Sequence, residues 1–216
     1  MPKAKTTKVR DKWRLKKWII VNAPPSFGST PVAYVPMTDS EKAVGRLIET
    51  TLYDLVKQDP QQYVIKLKFR INKINDGQAI SILYSHEYSR EYLRSLVRRG
   101  SSMINLIKDY ITKDNYKVRI HAIAFTPNRI NSSKKHGIRL AVYKVLKEKT
   151  ASLSYDQFAQ EAVLGKISSE IYNEAKKIVH LRHIGLKKTK LIGIPSPTEM
   201  ATSENAIEAK ASPSLS

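Results

Sequence analysis

From Tyr63 to Ile71 the chain alternates: Ile65, Leu67, Phe69 and Ile71 interleave with Lys66, Lys68 and Arg70. A period of two puts the first set on one face of a strand and the second set on the other. The segment therefore needs a sheet with one packed side and one wet, cationic side. Asn75-Asp76-Gly77 follows, where glycine accepts a positive φ cheaply, and Ile80, Ile82 and Tyr84 then resume the alternation. The two runs read as a hairpin. Another strand is expected from Tyr116 to Phe125, after a turn at Asp114-Asn115, with Lys117, Arg119 and His121 on its polar side. Weaker strand patterns cover Val32–Val35, Arg46–Leu52 and Leu186–Ile194.

Helical spacing is read from about Ser89 to Ile111, through Tyr92, Leu93, Leu96, Val97, Gly100, Met103, Ile104, Ile107 and Ile111. On that reading Arg90, Arg94 and Arg98 stack four apart on one exposed face, with Arg99 beside them. A second helix is expected from about Lys135 to Lys149 on the stripe Ile138, Ala141, Val142, Val145 and Leu146. Ser154 with Gln157 has capping-box spacing, Gly165 is placed to end that short helix, and Ser168 is read as the cap of a further one, with Ile167 and Ile171 as a staple. Strands and helices mix without a regular βαβ repeat. The fold class is α+β, with an antiparallel or mixed, barrel-like sheet flanked by helices.

Charge divides the chain into regions. Lys+Arg number 38 against 19 Asp+Glu, a formal net charge of +19, which implies a polyanionic partner. Residues 1–22 read as an extended basic arm, in which Lys8, Arg10, Lys12, Arg14, Lys16 and Lys17 surround Trp13 and Trp18, a mixture suited to phosphates and stacked bases. Residues 23–195 read as one globular domain, and 196–216 as a disordered, acidic and serine-bearing tail. The longest apolar runs, such as Trp18-Ile19-Ile20-Val21, are far below the roughly 20 residues of a membrane span, and the start of the sequence has no apolar signal core. A soluble, intracellular protein with no membrane partner is expected.

Catalytic and cofactor signatures do not emerge. With no cysteine, thiolate chemistry, iron–sulfur clusters and cysteine zinc sites are excluded. The eight glycines form neither a GxGxxG nor a Walker pattern, and no GxSxG elbow is present. His180 and His183 are three apart but lack further ligands, so they are read as closing a helix C-terminus, and no metal or cofactor is expected. The basic positions are more informative: the arm, Lys66, Lys68 and Arg70 on a strand, Arg90, Arg94, Arg98 and Arg99 on a helix, and Arg129, Lys134 and Lys135 beyond. Each cluster alone is an ordinary solvated face. Spread over several elements, they suit a large folded RNA better than one groove of duplex DNA. Two other classes remain open: a free RNA-modifying enzyme using His121, His136 or Glu87, and a chromatin-type DNA-binding protein.

Four blocks carry a family resemblance: Asp11-Lys12-Trp13 through Asn22-Ala23-Pro24 to Phe27; Gly45-Arg46-Leu47-Ile48-Glu49 with Leu52-Tyr53-Asp54-Leu55; Ser89-Arg90 through Arg98-Arg99 to Met103-Ile104, continuing into the strand that ends Phe125-Thr126-Pro127-Asn128-Arg129; and, more loosely, Ile167 to Val179 with Leu186-Lys187-Lys188. In these the sequence resembles the archaeal and eukaryotic small-subunit ribosomal proteins of the S3Ae family. The resemblance implies a non-enzymatic, cytoplasmic component of the small subunit on the platform near the messenger exit. Its partners would be small-subunit ribosomal RNA, neighbouring platform proteins and messenger near the exit. It also implies RNA contacts around Trp13 and Trp18, at Arg90, Arg98 and Arg99, and at Arg129 with its basic neighbours.

Overall fold

The structure, a computed structural model, describes residues 13–14, 16–39, 41–75 and 77–195. Lys8, Arg10, Lys12 and the tail 196–216 lie outside the described residues. The described chain forms β1 (Lys17–Asn22), β2 (Pro31–Met37), β3 (Leu47–Thr51), α1 (Leu52–Val56), β4 (Ile65–Asn75), β5 (Gln78–Tyr88), α2 (Arg90–Leu96), β6 (Met103–Ile111), β7 (Lys117–Phe125), α3 (Ser132–Ser152), α4 (Tyr155–Val163), α5 (Lys166–Lys176) and β8 (His183–Gly193). The last six residues assigned to the arm, Lys17 to Asn22, are strand β1.

β5 organises the sheet. Along one side it pairs with β4 in the expected hairpin, from Ile65 opposite Tyr88 to Asn75 opposite Gln78, and β3 continues beyond β4. Its other side is shared. Gln78 to Ile80 run parallel to Ile20 to Asn22 of β1, whereas Ser85 to Glu87 run antiparallel to Lys188 to Lys190 of β8. The sheet thus forks into β1-β2 and β8-β7-β6. It is mixed and α+β, as read from the sequence, but open rather than barrel-like. Among the described residues β2, β3 and β6 each have a single strand partner, so no pairing closes the ring a barrel needs. At the β6 edge the Arg139 guanidinium donates to the Asn105 carbonyl at 3.2 Å, occupying part of the position another strand would take.

The long helix expected from Ser89 to Ile111 is two elements. α2 stops at Leu96, Gly100 follows with φ +77°, and Met103 to Ile111 form β6. The pattern misled because residues four apart share a face in a strand as well as in a helix. Met103, Ile107 and Ile111 do share a face, but it is the outer one, where they are 49%, 57% and 63% exposed. Ile104 and Tyr110 point the other way and are buried. The Ser168 cap is likewise corrected. α5 begins at Lys166 behind Gly165, whose left-handed φ of +82° turns the chain directly out of α4, and Ile167 and Ile171 are successive rungs of one buried stripe. α5 ends at Lys176, so His180 and His183 do not close it; His183 opens β8.

The main core lies between one face of β6-β7-β8 and helices α3, α4 and α5, filled by Ile120, Ile138, Leu146, Phe158, Ile167 and Ile171. Full burial of each contributes about 1.5–3 kcal/mol. Leu67, Phe69 and Leu83 pack beneath Ala159 and Val163 of α4, and Ile19 and Val21 seal the β1 branch against Ile71 and Ala79.

His86 joins the fork from inside. It is 1% exposed, with Nε2 3.2 Å from the Leu186 carbonyl and Nδ1 2.6 Å from Thr189 Oγ1. A carbonyl can only accept, so Nε2 carries the proton and the Thr189 hydroxyl donates to Nδ1. Burial pulls the imidazole from 6.5 to about 4. Between those values the unfolded chain binds a proton that the folded chain refuses, so stability falls as pH drops through this window and is complete above it. The expected loss is about 3 kcal/mol. Urea unfolding of wild type and His86→Gln at pH 4, 5 and 6.5 checks it: the variant has a shallower pH slope, the remainder coming from His121, His183 and Glu87, and an equal slope in both proteins would assign the effect elsewhere.

Candidate nucleic-acid interface

Four chain segments meet at one end of the sheet: the end of β5 leading into α2, the start of β6, the end of β7 and the start of β8. Met103 pairs with Phe125, and Phe125 with His183. Ser89 caps α2 by accepting from the Tyr92 amide at 3.4 Å. After α2, the Arg98 carbonyl takes the Ser101 hydroxyl at 2.6 Å, and the Arg182 guanidinium donates to the Leu96 carbonyl while lying 5.8 Å from the Phe125 ring centre. The 126–130 loop is tied to the same turn. The Ser102 amide donates to Thr126 Oγ1 at 3.2 Å, the Thr126 amide to the Ser102 carbonyl at 3.0 Å, and the Ile130 amide to Ser102 Oγ at 3.2 Å.

This stitching gathers cations that are distant in sequence. Arg90, Arg94, Arg98, Arg99 and Arg129 are all exposed at this end, joined by Lys134 and the half-buried Lys135 in the first turn of α3. None forms an ion pair with a carboxylate among the described residues. Because α2 is short, Arg98 and Arg99 belong to the turn after it rather than to the helical row expected for Arg90, Arg94 and Arg98.

The strand cations behave differently. Lys66 reaches Glu49 at 3.2 Å, Lys68 reaches Glu49 at 3.4 Å and Glu87 at 3.0 Å, and Lys188 reaches Glu87 at 2.7 Å. Five side chains of alternating sign therefore cross β4, β3, β5 and β8. Lys188, then Lys68, holds Glu87 well below the carboxylate range, at about 2. Lys66 and Lys68 likewise lower Glu49, against the opposing effect of burial. Arg70 lies farther along β4, packed near Gly45. The strand register extends the row from Lys188 to His121 of β7, on the face opposite the helices. Burial, then Lys187 and Lys188, keeps His121 below its ordinary value.

The described part of the arm is elsewhere. Trp13 and Trp18 are 59% and 63% exposed, with Lys16 Nζ 4.1 Å from the Trp13 ring centre, and Arg14 and Lys17 are exposed nearby. β1 meets β5 at Gln78 to Ile80, ten residues from Tyr88 at most. At about 3.3 Å per residue this is roughly 30 Å from the arginine cluster. Sequence reasoning also missed Arg182, Lys187 and Lys188 as parts of the sheet end, although the adjacent lysines interrupting an apolar run marked an irregular strand.

Among the described residues no group of three His, Cys, Asp or Glu is placed to hold a metal ion, and no helix is long and apolar enough to cross a membrane. Comparison with known proteins gives a consistent answer. The model of the ribosomal S3Ae family matches residues 4–195. The small ribosomal subunit protein eS1 of Sulfolobus acidocaldarius is 41% identical over 196 residues, covering 90% of this chain and 99% of the relative. That of Desulfurococcus amylolyticus is 44% identical over 189 residues, covering 88% of each chain. That of Archaeoglobus fulgidus is 39% identical over 198 residues, covering 91% and 94%. A match running from the basic arm through the arginine-bearing sheet end to the last described residue means that the chain belongs to the ribosomal S3Ae family, and is a structural ribosomal protein rather than an enzyme.

Proposed function

We propose that the protein is a structural constituent of the small ribosomal subunit in the cytoplasm, binding small-subunit ribosomal RNA on the platform near the messenger exit, beside neighbouring platform proteins. The observation that carries this reading is the set of cations at one sheet end that make no ion pair with a carboxylate among the described residues: the exposed Arg90, Arg94, Arg98, Arg99, Arg129 and Lys134, with the half-buried Lys135. Arginine suits this task because its planar fork binds phosphate through two donors and stacks on bases. The arm, through Trp13, Arg14, Lys16, Lys17 and Trp18, supplies a second contact at the far end of β5, continued by Lys8, Arg10 and Lys12. Two contact regions about 30 Å apart fit a folded RNA that presents several helices. Lys66, Lys68 and Arg70 contribute to the field of this face, the two lysines with part of their charge offset by Glu49 and Glu87.

A DNA-binding reading predicts comparable affinity for any duplex, since phosphates alone do not distinguish the two polymers. Filter binding of the full chain to small-subunit ribosomal RNA and to duplex DNA of equal length, at physiological salt, separates them. The RNA is expected to bind at least tenfold more tightly; equal affinities would favour the DNA reading.

A further inference from the structure

The alternating row from Lys66 to Lys188 forms the floor of a cleft of about 670 Å³, bounded by Tyr88, Ser89, Arg90, Glu91 and Leu93 on one side and by His121 and Lys187 on the other. Resting on the RNA-binding reading above, we propose that this cleft seats a sharp bend of the RNA backbone, with adjacent phosphodiesters held between Arg90 and Lys187.

Three observations support the assignment. Five cations line the cleft, Lys66, Lys68, Arg90, Lys187 and Lys188, against the carboxylates of Glu49, Glu87 and Glu91. Glu49 and Glu87 are taken up by the three floor lysines, and Arg90 and Lys187 make no ion pair with a carboxylate among the described residues, so the lining keeps a net positive charge. Second, Lys187 owes its place to a β-bulge. His121 pairs with Lys188 and Ala122 with Leu186, leaving Lys187 as the extra residue, and bulges re-aim side chains in this way. Third, His121 lines the cleft wall with Nε2 shielded and without a hydrogen-bond partner among the described residues, so the wall carries a polar group that the fold itself does not use. The remaining carboxylate, Glu91, can accept from ribose 2′-hydroxyls, which a bent RNA backbone carries beside its phosphates.

The floor then acts as a support. Its ion pairs favour one arrangement of Lys66 and Lys188 above Glu49 and Glu87, so part of the positive field is already organised when RNA arrives.

The test compares the full-length wild type with Arg90→Gln/Lys187→Gln and with Lys113→Gln/Lys176→Gln, which removes the same charge from exposed positions away from the cleft. Affinity for purified small-subunit ribosomal RNA is measured against potassium chloride concentration, with a thermal melt of each protein to confirm folding. Each lost phosphate contact lowers the slope of log affinity against log salt by about 0.7–0.9, so the cleft variant should lose about 1.5 and the control close to none. Equal slopes for the two variants overturn the assignment while leaving RNA binding by the wild type intact. A cleft variant that binds RNA normally but no longer enters small subunits would give the cleft to a protein neighbour, and also overturns it. If the wild type itself shows no salt-dependent RNA binding, the broader RNA reading fails first.

Discussion

Changing Arg94, Arg98 and Arg99 together to glutamate is expected to leave a folded protein that is largely excluded from small subunits. All three are exposed and make no ion pair among the described residues, so no buried charge is orphaned and the melting temperature should stay close to wild type. Three phosphate contacts are lost, which lowers the salt slope of RNA binding by about 2–3, and the reversed charges add repulsion. Incorporation measured by quantitative mass spectrometry of purified subunits checks this directly. A stable variant incorporated at the wild-type level would mean that the arginine cluster is only a solvated surface.

The second large effect concerns the core that positions this cluster. Phe158 is 1% exposed, packed between the sheet and its helices, and Phe158→Ala removes a ring that the surroundings cannot fill. The cost is about 3–5 kcal/mol, a large share of the roughly 5–15 kcal/mol of a typical domain. The melting temperature should drop by on the order of 10 °C. Leu140→Ala serves as a control on α3, where the side chain is 54% exposed, and should cost less than about 0.5 kcal/mol. A Phe158→Ala protein as stable as the Leu140→Ala protein would show that α4 is not part of the main cooperative core.

Local patterns were legible in the sequence wherever one period operated alone. The β4–β5 hairpin, the α3 stripe and the α4 capping box all follow from spacing, and the last is present with the Ser154 amide 3.5 Å from Gln157 Oε1. The α2–β6 boundary was hidden because Met103, Ile107 and Ile111 satisfy both the helical and the strand count. The fork at β5 was hidden because pairing partners are chosen over long range; β5 and β8 residues that pair, such as Glu87 and Lys188, are separated by 101 positions.

The same distinction applies to the interface. The sequence showed which residues are basic but not which are neutralised. Lys66 and Lys68 looked equivalent to Arg94 and Arg98 until strand pairing brought Glu49 and Glu87 beside them. Nor could spacing show that the turn after α2 and the 126–130 loop are joined through Ser102 and Thr126, which makes one surface from two clusters. The family resemblance, carried by the same arginine blocks, anticipated the class of protein that the comparisons establish.

The central claim is that this chain works as a fixed part of the small subunit, held largely by phosphate contacts. Gradient sedimentation of a native lysate over rising salt, with the protein and small-subunit ribosomal RNA quantified in each fraction, tests it most directly. The account predicts one copy per small subunit, retained at moderate salt and released only as phosphate contacts are screened. A protein that stays at the top of the gradient at physiological salt would contradict it.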